Sequence, residues 1–283
     1  MTDPFLRLAG ISKTYPGVTA LDQVSLQVRH GEVIGLVGEN GAGKSTLMKV
    51  LGGVVAPSAG VIHVDDTEFD ALSVADAIDA GIAFVHQELN LFENLDAAAN
   101  AFIGREPLYG GFLKLVDRKK LHDLTRPYLD ALGVDFAPDT LVSELSIAQR
   151  QLLEIAKALS LKSRLVIMDE PTSSLTLAET DRLMRVIADL KSKGVSIIFI
   201  SHRLNELAQC ADRVVVLRDG RLVGELARHE ISHEAMIRMM IGRDLKALYV
   251  PPATPPGDAV LGDRKSTRLN SSHGGISRMP SSA

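Results

Sequence analysis

Cysteine occurs once in this 283-residue chain, at Cys210, tryptophan not at all, and aromatic residues make up only 4%. One cysteine allows no internal disulfide, which fits a reducing compartment. No stretch approaches 18 consecutive apolar residues, so no segment reads as a membrane span. The N-terminal MTDPFLRLAG lacks the basic-then-apolar pattern of a secretory signal. Positive charge is not in excess: 31 Lys+Arg stand against 35 Asp+Glu, a net of −4, which argues against broad binding to a phosphate backbone and so against a nucleic-acid partner. Glycine and proline are too few for a fibrous chain, and 46% hydrophobic residues are enough to build a sizeable core. The expectation is a soluble cytosolic α/β protein.

The last residues, Asp263 to Ala283, have no helical or alternating period. One reading is a disordered tail. The other is that DRKSTRLNSSH and RMPSSA, back-translated, spell a common sequencing-library adapter, with Gly274 and Gly275 in its variable index. On that reading 263–283 is not native sequence. The segment holds Arg264, Lys265, Arg268 and Arg278 against Asp263, so excluding it moves the net charge of the remaining 262 residues from −4 to −7.

The chain begins with alternating segments, FLRLAGISKTY and ALDQVSLQVRHGEVIGLVG, in which Val33–Val37 reads as a buried strand. A helix follows in KSTLMKVLGG, with Leu47, Val50 and Leu51 on one face. GVIHVDD and Gly81–Gln87 read as short strands, the second preceded by helical VADAIDA. From about residue 90 to 162 the pattern is helical, and no clear strand interrupts it. Strands return at Arg164–Glu170, Val195–His202 and RVVVLRDGRLVGEL, where Asp219-Gly220 marks a hairpin turn. Thr176 and Glu179 form a capping box that opens a helix ending at Gly194. PPATPP, Pro251–Pro256, reads as a stiff linker. The organisation is one α/β cassette over residues 5–245, split by a helical insertion, with 246–262 as the start of a linker.

Gly38-Glu39-Asn40-Gly41-Ala42-Gly43-Lys44-Ser45 fits the G-x-x-x-x-G-K-[ST] pattern, between a buried strand and a helix. Its glycines let backbone N–H groups turn inward around phosphate oxygens; Lys44 places a charge on the β- and γ-phosphates, and the Ser45 hydroxyl ligates Mg²⁺. Leu165–Glu170 is an apolar strand ending in two carboxylates, Asp169 for the Mg²⁺ shell and Glu170 to polarise an attacking water. Parallel strands end on one edge, so His202 and Gln87, at two further strand ends, are expected beside this loop: His202 on the γ-phosphate, Gln87 on Mg²⁺ and water. His86 is expected to face away and to be structural. Ser146 and Gln149 form a capping box, and the capped helix end is also an anion site that would serve a nucleotide held by another domain. Tyr15 either stacks on adenine or packs into the core; the residues leave both open.

In order, Tyr15, GENGAGKST, VHQ, LSIAQ, LVIMDEPTS, the Ser174–Thr176 stretch and FISH resemble an ABC-transporter ATPase over about residues 5–245. VHQELNLFENL, IGREP, LSIAQRQLLEIAKALS and ISHRLNEL further resemble the N-terminal cassette of bacterial monosaccharide importers. The resemblance implies a RecA-like P-loop core with an antiparallel β-subdomain and a helical subdomain, and two ATP molecules sandwiched between two cassettes. It makes Tyr15 the adenine-stacking position, Gly38 to Thr46 the Walker A loop, Gln87 the Q-loop, Ser146 to Gln149 the signature, Asp169 and Glu170 the Walker B pair and His202 the switch histidine. Two departures stand out. The signature carries Ile147 and Ala148 where Gly-Gly is usual, and Thr176 replaces the usual D-loop aspartate. Implied partners are a second cassette, fused in that subfamily and expected beyond this sequence, membrane permease subunits and, indirectly, a periplasmic sugar-binding protein. The implied location is peripheral, on the cytoplasmic face of the bacterial inner membrane. A different class, a soluble ABC ATPase of translation or DNA repair, would need basic surfaces or a long coiled-coil insertion, and a catalytically dead regulatory cassette would not need Lys44, Glu170 and His202.

Overall fold

A computed structural model describes residues 4–86, 89–161 and 163–242. Gln87, Lys162, the linker and the suspected adapter segment lie outside the described residues. The elements in order are β1 (Leu6–Tyr15), β2 (Val18–Val28), β3 (Val33–Val37), α1 (Lys44–Leu51), β4 (Ala59–Val64), β5 (Thr67–Phe69), α2 (Val74–Asp79), β6 (Ile82–Val85), α3 (Ala97–Ala101), β7 (Leu108–Tyr109), β8 (Leu115–Val116), α4 (Arg118–Leu132), α5 (Ile147–Leu159), β9 (Leu165–Asp169), α6 (Leu177–Ser192), β10 (Ser196–Ile200), α7 (Leu204–Cys210), β11 (Arg213–Arg218), β12 (Arg221–Ala227) and α8 (His233–Ile241).

Six strands form the central sheet in the order β12-β11-β3-β10-β9-β6, parallel except for the β11–β12 hairpin. That hairpin turns through Asp219 and Gly220, both at positive φ, as an Asp-Gly two-residue turn requires. An antiparallel sheet, β2-β1-β4-β5, forms the second layer. The central strands are apolar on both sides because both sides are covered. In β3, Ile34 and Leu36 enter the core shared with the antiparallel sheet and α1, whereas Val33 and Val37 enter the core under the helices. The same period of two sorts Leu165 and Ile167 from Val166 and Met168, and Ile198 and Ile200 from Ile197 and Phe199.

The helical region contains α3, α4 and α5, packed on one another. Its start is shorter than the sequence pattern suggests, since α3 covers only Ala97–Ala101. A two-stranded ribbon also interrupts it, with Leu108 opposite Val116 and Tyr109 opposite Leu115. The expectation of an unbroken helical insertion is therefore corrected. A strand of two residues is too short to show an alternation in sequence, and these strands bury neither face.

Cys210 ends α7. Burial pushes its thiol up to about 12, so almost no thiolate exists near neutrality. The folded chain is expected to react with an aromatic disulfide reagent at pH 8 at least tenfold more slowly than the urea-unfolded chain, which releases one equivalent of thiolate; equal rates would contradict the burial.

Candidate functional site

The site is a consequence of strand register. Ile200 stands beside Leu36 of β3 and Asp169 of β9, and Met168 stands beside Val85 of β6. The carboxyl ends of four parallel strands therefore coincide, and whatever follows them shares one edge.

After β3 the chain enters the glycine loop. Here glycine is a matter of space and backbone angle. A Cβ on Gly38 would sit 2.3 Å from the Leu217 carbonyl oxygen, and one on Gly43 would sit 2.5 Å from that of Ala20, with Gly43 already at φ 105°. Gly43 caps α1 without a side-chain hydrogen bond, and the first turn of α1 holds no acidic residue. The positive end of the helix is thus left to an external anion. Lys44 Nζ folds back over the loop, donating to the Gly38 and Glu39 carbonyls at 2.6 and 3.0 Å.

Facing the loop are the two carboxylates. Burial is the main cause that raises the Asp169 carboxyl above its usual range. The neighbouring Glu170 adds to this, and Lys44 and His86 oppose it. Burial likewise lowers the Lys44 ammonium, against the pull of Asp169 and Glu170. Both shifts have one meaning: charge is held here with incomplete compensation, the condition of a site shaped for further charged groups. Glu170 occupies a left-handed conformation, φ 48°, with its N–H donating to the Ile200 carbonyl at 2.9 Å. Its Oε2 lies 3.2 Å from His202 Nδ1.

Two cavities open on this edge. One, about 340 Å³, is lined by Asn40, Gly41, Gly43, Lys44, Ser45, Thr46, Asp169 and Glu170 together with Val18–Ala20 of the β1–β2 hairpin. The other, about 220 Å³, lies between Gly38, Glu39, Asn40, Lys44, Glu170, Ser201 and His202, with Ile237, Met240 and Ile241 of α8 as an apolar wall. The structure thus brings together the loop residues, Asp169, Glu170 and His202. Tyr15 pairs with Val18 at the hairpin that borders the first cavity, and it is 42% exposed with the Lys13 ammonium 5.3 Å from its ring centroid. Core packing, one of the two readings of Tyr15, is excluded. Ser146 and Gln149 line neither cavity. They form the capping box, and Gln149 Nε2 also donates to Asp135 at 2.8 Å.

One expectation fails. His86 is exposed, stacks on Phe84 and lines a third cavity with Ser45, Lys49 and Asp169. It faces the site because residues 84 and 86 lie on one side of the chain. That side is the one covered by α1 and α2, where the cavity opens.

Sequence reasoning missed the supports. Buried Glu206 accepts from Thr172 Oγ1 at 2.8 Å and Ser201 Oγ at 3.0 Å, tying the segment after β9 to that after β10. Its position in ISHRLNEL, on the first turn of α7, was the available signal. The β11–β12 turn braces the glycine loop through the Gly220 N–H to the Ala42 carbonyl, 3.1 Å, and nothing in the local sequence announces that contact.

A family model described as ABC transporter matches residues 21–173, more than half of the chain. The chain belongs to the ABC transporter family. Its ATP-binding cassette fold is that of a solved ATP-binding cassette of an ABC transporter in its ADP conformation, with a TM-score of 0.73 and 26% identity, covering 86% of this chain and 100% of that one. Two relatives bear the name ribose import ATP-binding protein. One, in Clostridium tetani, is 46% identical over 258 residues, 91% of this chain and 51% of its own length. The other, in Rhodopirellula baltica, is 51% identical over 238 residues, 84% of this chain and 46% of its own length. A relative in Geobacillus kaustophilus named for ribose/galactose/methyl galactoside import is 44% identical over 96% of this chain and 54% of its own length. The ABC cassette described here thus spans about half the length of the curated relatives it matches.

Proposed function

We propose that this cassette binds and hydrolyses ATP to energise import of a monosaccharide through an ABC transporter. The observation that carries the reading is the convergence of Lys44, Ser45, Asp169, Glu170 and His202 on one sheet edge, in a chain whose relatives are named for ribose import.

The residues present suit Mg²⁺. A carboxylate and a hydroxyl, Asp169 and Ser45, border one cavity, with the carboxyl raised chiefly by burial and then by the neighbouring Glu170. An ion that takes most of its remaining ligands from phosphate oxygens and water needs little more. Gln87, outside the described residues, is proposed as a further ligand. Bound there, Mg²⁺ would supply neutralisation of the phosphate charge.

Lys44 and the N–H groups of the loop bind the phosphates, and Tyr15 stacks on the adenine. Glu170 accepts a proton from the attacking water as the new bond to the γ-phosphorus forms and the bridging bond to ADP breaks, releasing ADP and phosphate. His202, against the Glu170 carboxylate, orients that base and reaches the γ-phosphate.

Ser146 to Gln149 face a nucleotide held by a second cassette. Ile147 stands where glycine would allow close backbone approach, and its side chain is 66% exposed at the helix start. The site that this helix completes is therefore the weaker of two, and the site built on Lys44 and Glu170 takes its own signature from the partner. Permease subunits and, through them, a periplasmic sugar-binding protein complete the system. The cassette sits on the cytoplasmic face of the inner membrane and needs no nucleic acid. A net charge of −4 supports that last point.

The test is turnover against concentration. The isolated chain is expected to bind MgATP yet hydrolyse it slowly, with a specific rate that rises as chains associate or as a second cassette is added. A fast rate that is independent of concentration would overturn the trans-site reading.

A further inference from the structure

The β7–β8 ribbon is an apolar surface with no core behind it. Leu108, Tyr109, Phe112, Leu113, Leu115 and Val116 are 43% to 92% exposed, Phe112 at the tip most of all, and none joins either core cluster. Apolar groups presented together in this way mark an interaction site.

Charge says what kind. Lys114 sits at the tip, and Arg118, Lys119 and Lys120 form the first turn of α4, directly after β8. All four are exposed, and among the described residues none pairs with a carboxylate within 4 Å. The placement is unfavourable for the free chain. Three cations occupy the positive end of a helix dipole, with no acidic residue in that turn and the Asp117 cap just before it. An anionic surface opposite them would reverse the sign of that interaction. Aromatic and aliphatic side chains on a short ribbon, with one lysine at its tip and three cations in the helix turn that follows it, are the composition that partitions into the headgroup boundary of a bilayer, with the long basic side chains reaching the lipid phosphates. A protein groove would take the apolar tip but would leave the cations unexplained.

We propose that the Leu108–Val116 ribbon inserts its tip into an anionic lipid surface, with Lys114, Arg118, Lys119 and Lys120 on the headgroups. This is a direct lipid contact made by the cassette itself. It goes beyond the import reading and does not depend on permease, sugar or nucleotide.

The test is flotation of the full 283-residue chain with vesicles of phosphatidylcholine alone or with one-third phosphatidylglycerol. The chain is expected to float with the anionic vesicles only, less so at high salt. Phe112→Asp should weaken vesicle affinity about tenfold or more. Lys119→Glu should weaken it at least fivefold. Both variants should keep wild-type MgATP affinity, which shows that the cassette is still folded. No flotation with anionic vesicles, equal flotation with neutral ones, or a Phe112→Asp variant that floats like wild type would each overturn the proposal. So would self-association of the chain that Phe112→Asp abolishes, because the ribbon would then meet a second copy. Loss of ATP binding in wild type would bear on the import reading alone, since the flotation assay contains no nucleotide.

Discussion

Glu170→Gln is expected to lower ATP turnover of the assembled transporter by a factor of about 10² to 10⁴ while leaving ATP bound. The substitution keeps the volume of the side chain and a polar group beside His202, but removes the oxygen that accepts a proton. Ground-state binding is assigned to other groups, the glycine loop and Lys44, whose Nζ lies within 3.0 Å of two loop carbonyls. The loss should therefore fall on kcat and leave KM nearly unchanged, the signature of an interaction made only in the transition state. The left-handed backbone at Glu170 argues for a position held for its side chain, since a non-glycine residue there is strained and is kept in place here by the hydrogen bond to Ile200. The check is steady-state turnover together with the nucleotide retained after gel filtration. Normal turnover would remove Glu170 from the base role.

Lys44→Ala should remove nucleotide binding itself. The ammonium is partly buried and held over the loop, and burial lowers it against the pull of Asp169 and Glu170. A cation under that strain gains on meeting phosphate oxygens, where charge-assisted contacts replace incomplete compensation. Alanine leaves the loop glycines and the helix end but no point charge, and an affinity loss of at least a hundredfold is expected, about 2.7 kcal/mol. Thermal unfolding reads the same difference. Ligand at a hundred times its Kd stabilises wild type by about 2.7 kcal/mol, which for a chain of this size raises Tm by roughly 5–10 °C. Lys44→Ala should shift by no more than about 1–2 °C at that concentration. A wild-type shift in the variant would contradict the assignment of the loop.

Most of this site was legible before the structure because its parts have local causes. Gly38 to Ser45 is a contiguous pattern, and the apolar runs ending at Asp169 and at Ser201-His202 need only the rule that parallel strands end together; the register of β3, β9 and β10 bears that out. The capping boxes at Ser146 and Thr176 have both halves in place, for the same local reason. What escaped was set elsewhere. His86 faces Asp169 because α1 and α2 cover that side of β6, a tertiary fact that strand alternation cannot supply. Glu206 and Gly220 matter through contacts 34 and 178 residues away in sequence. The ribbon at Leu108–Val116 was invisible for the opposite reason: sequence patterns report burial, and this segment buries nothing.

Calorimetric titration of MgATP into the intact wild-type chain tests the central claim most directly, namely that the edge bearing Lys44, Asp169 and Glu170 binds one nucleotide on its own, before a partner cassette supplies a signature for hydrolysis. One nucleotide per chain, with binding lost in Lys44→Ala and retained in Glu170→Gln, is the predicted result. Absence of binding to wild type, or binding that Lys44→Ala leaves unchanged, would contradict it.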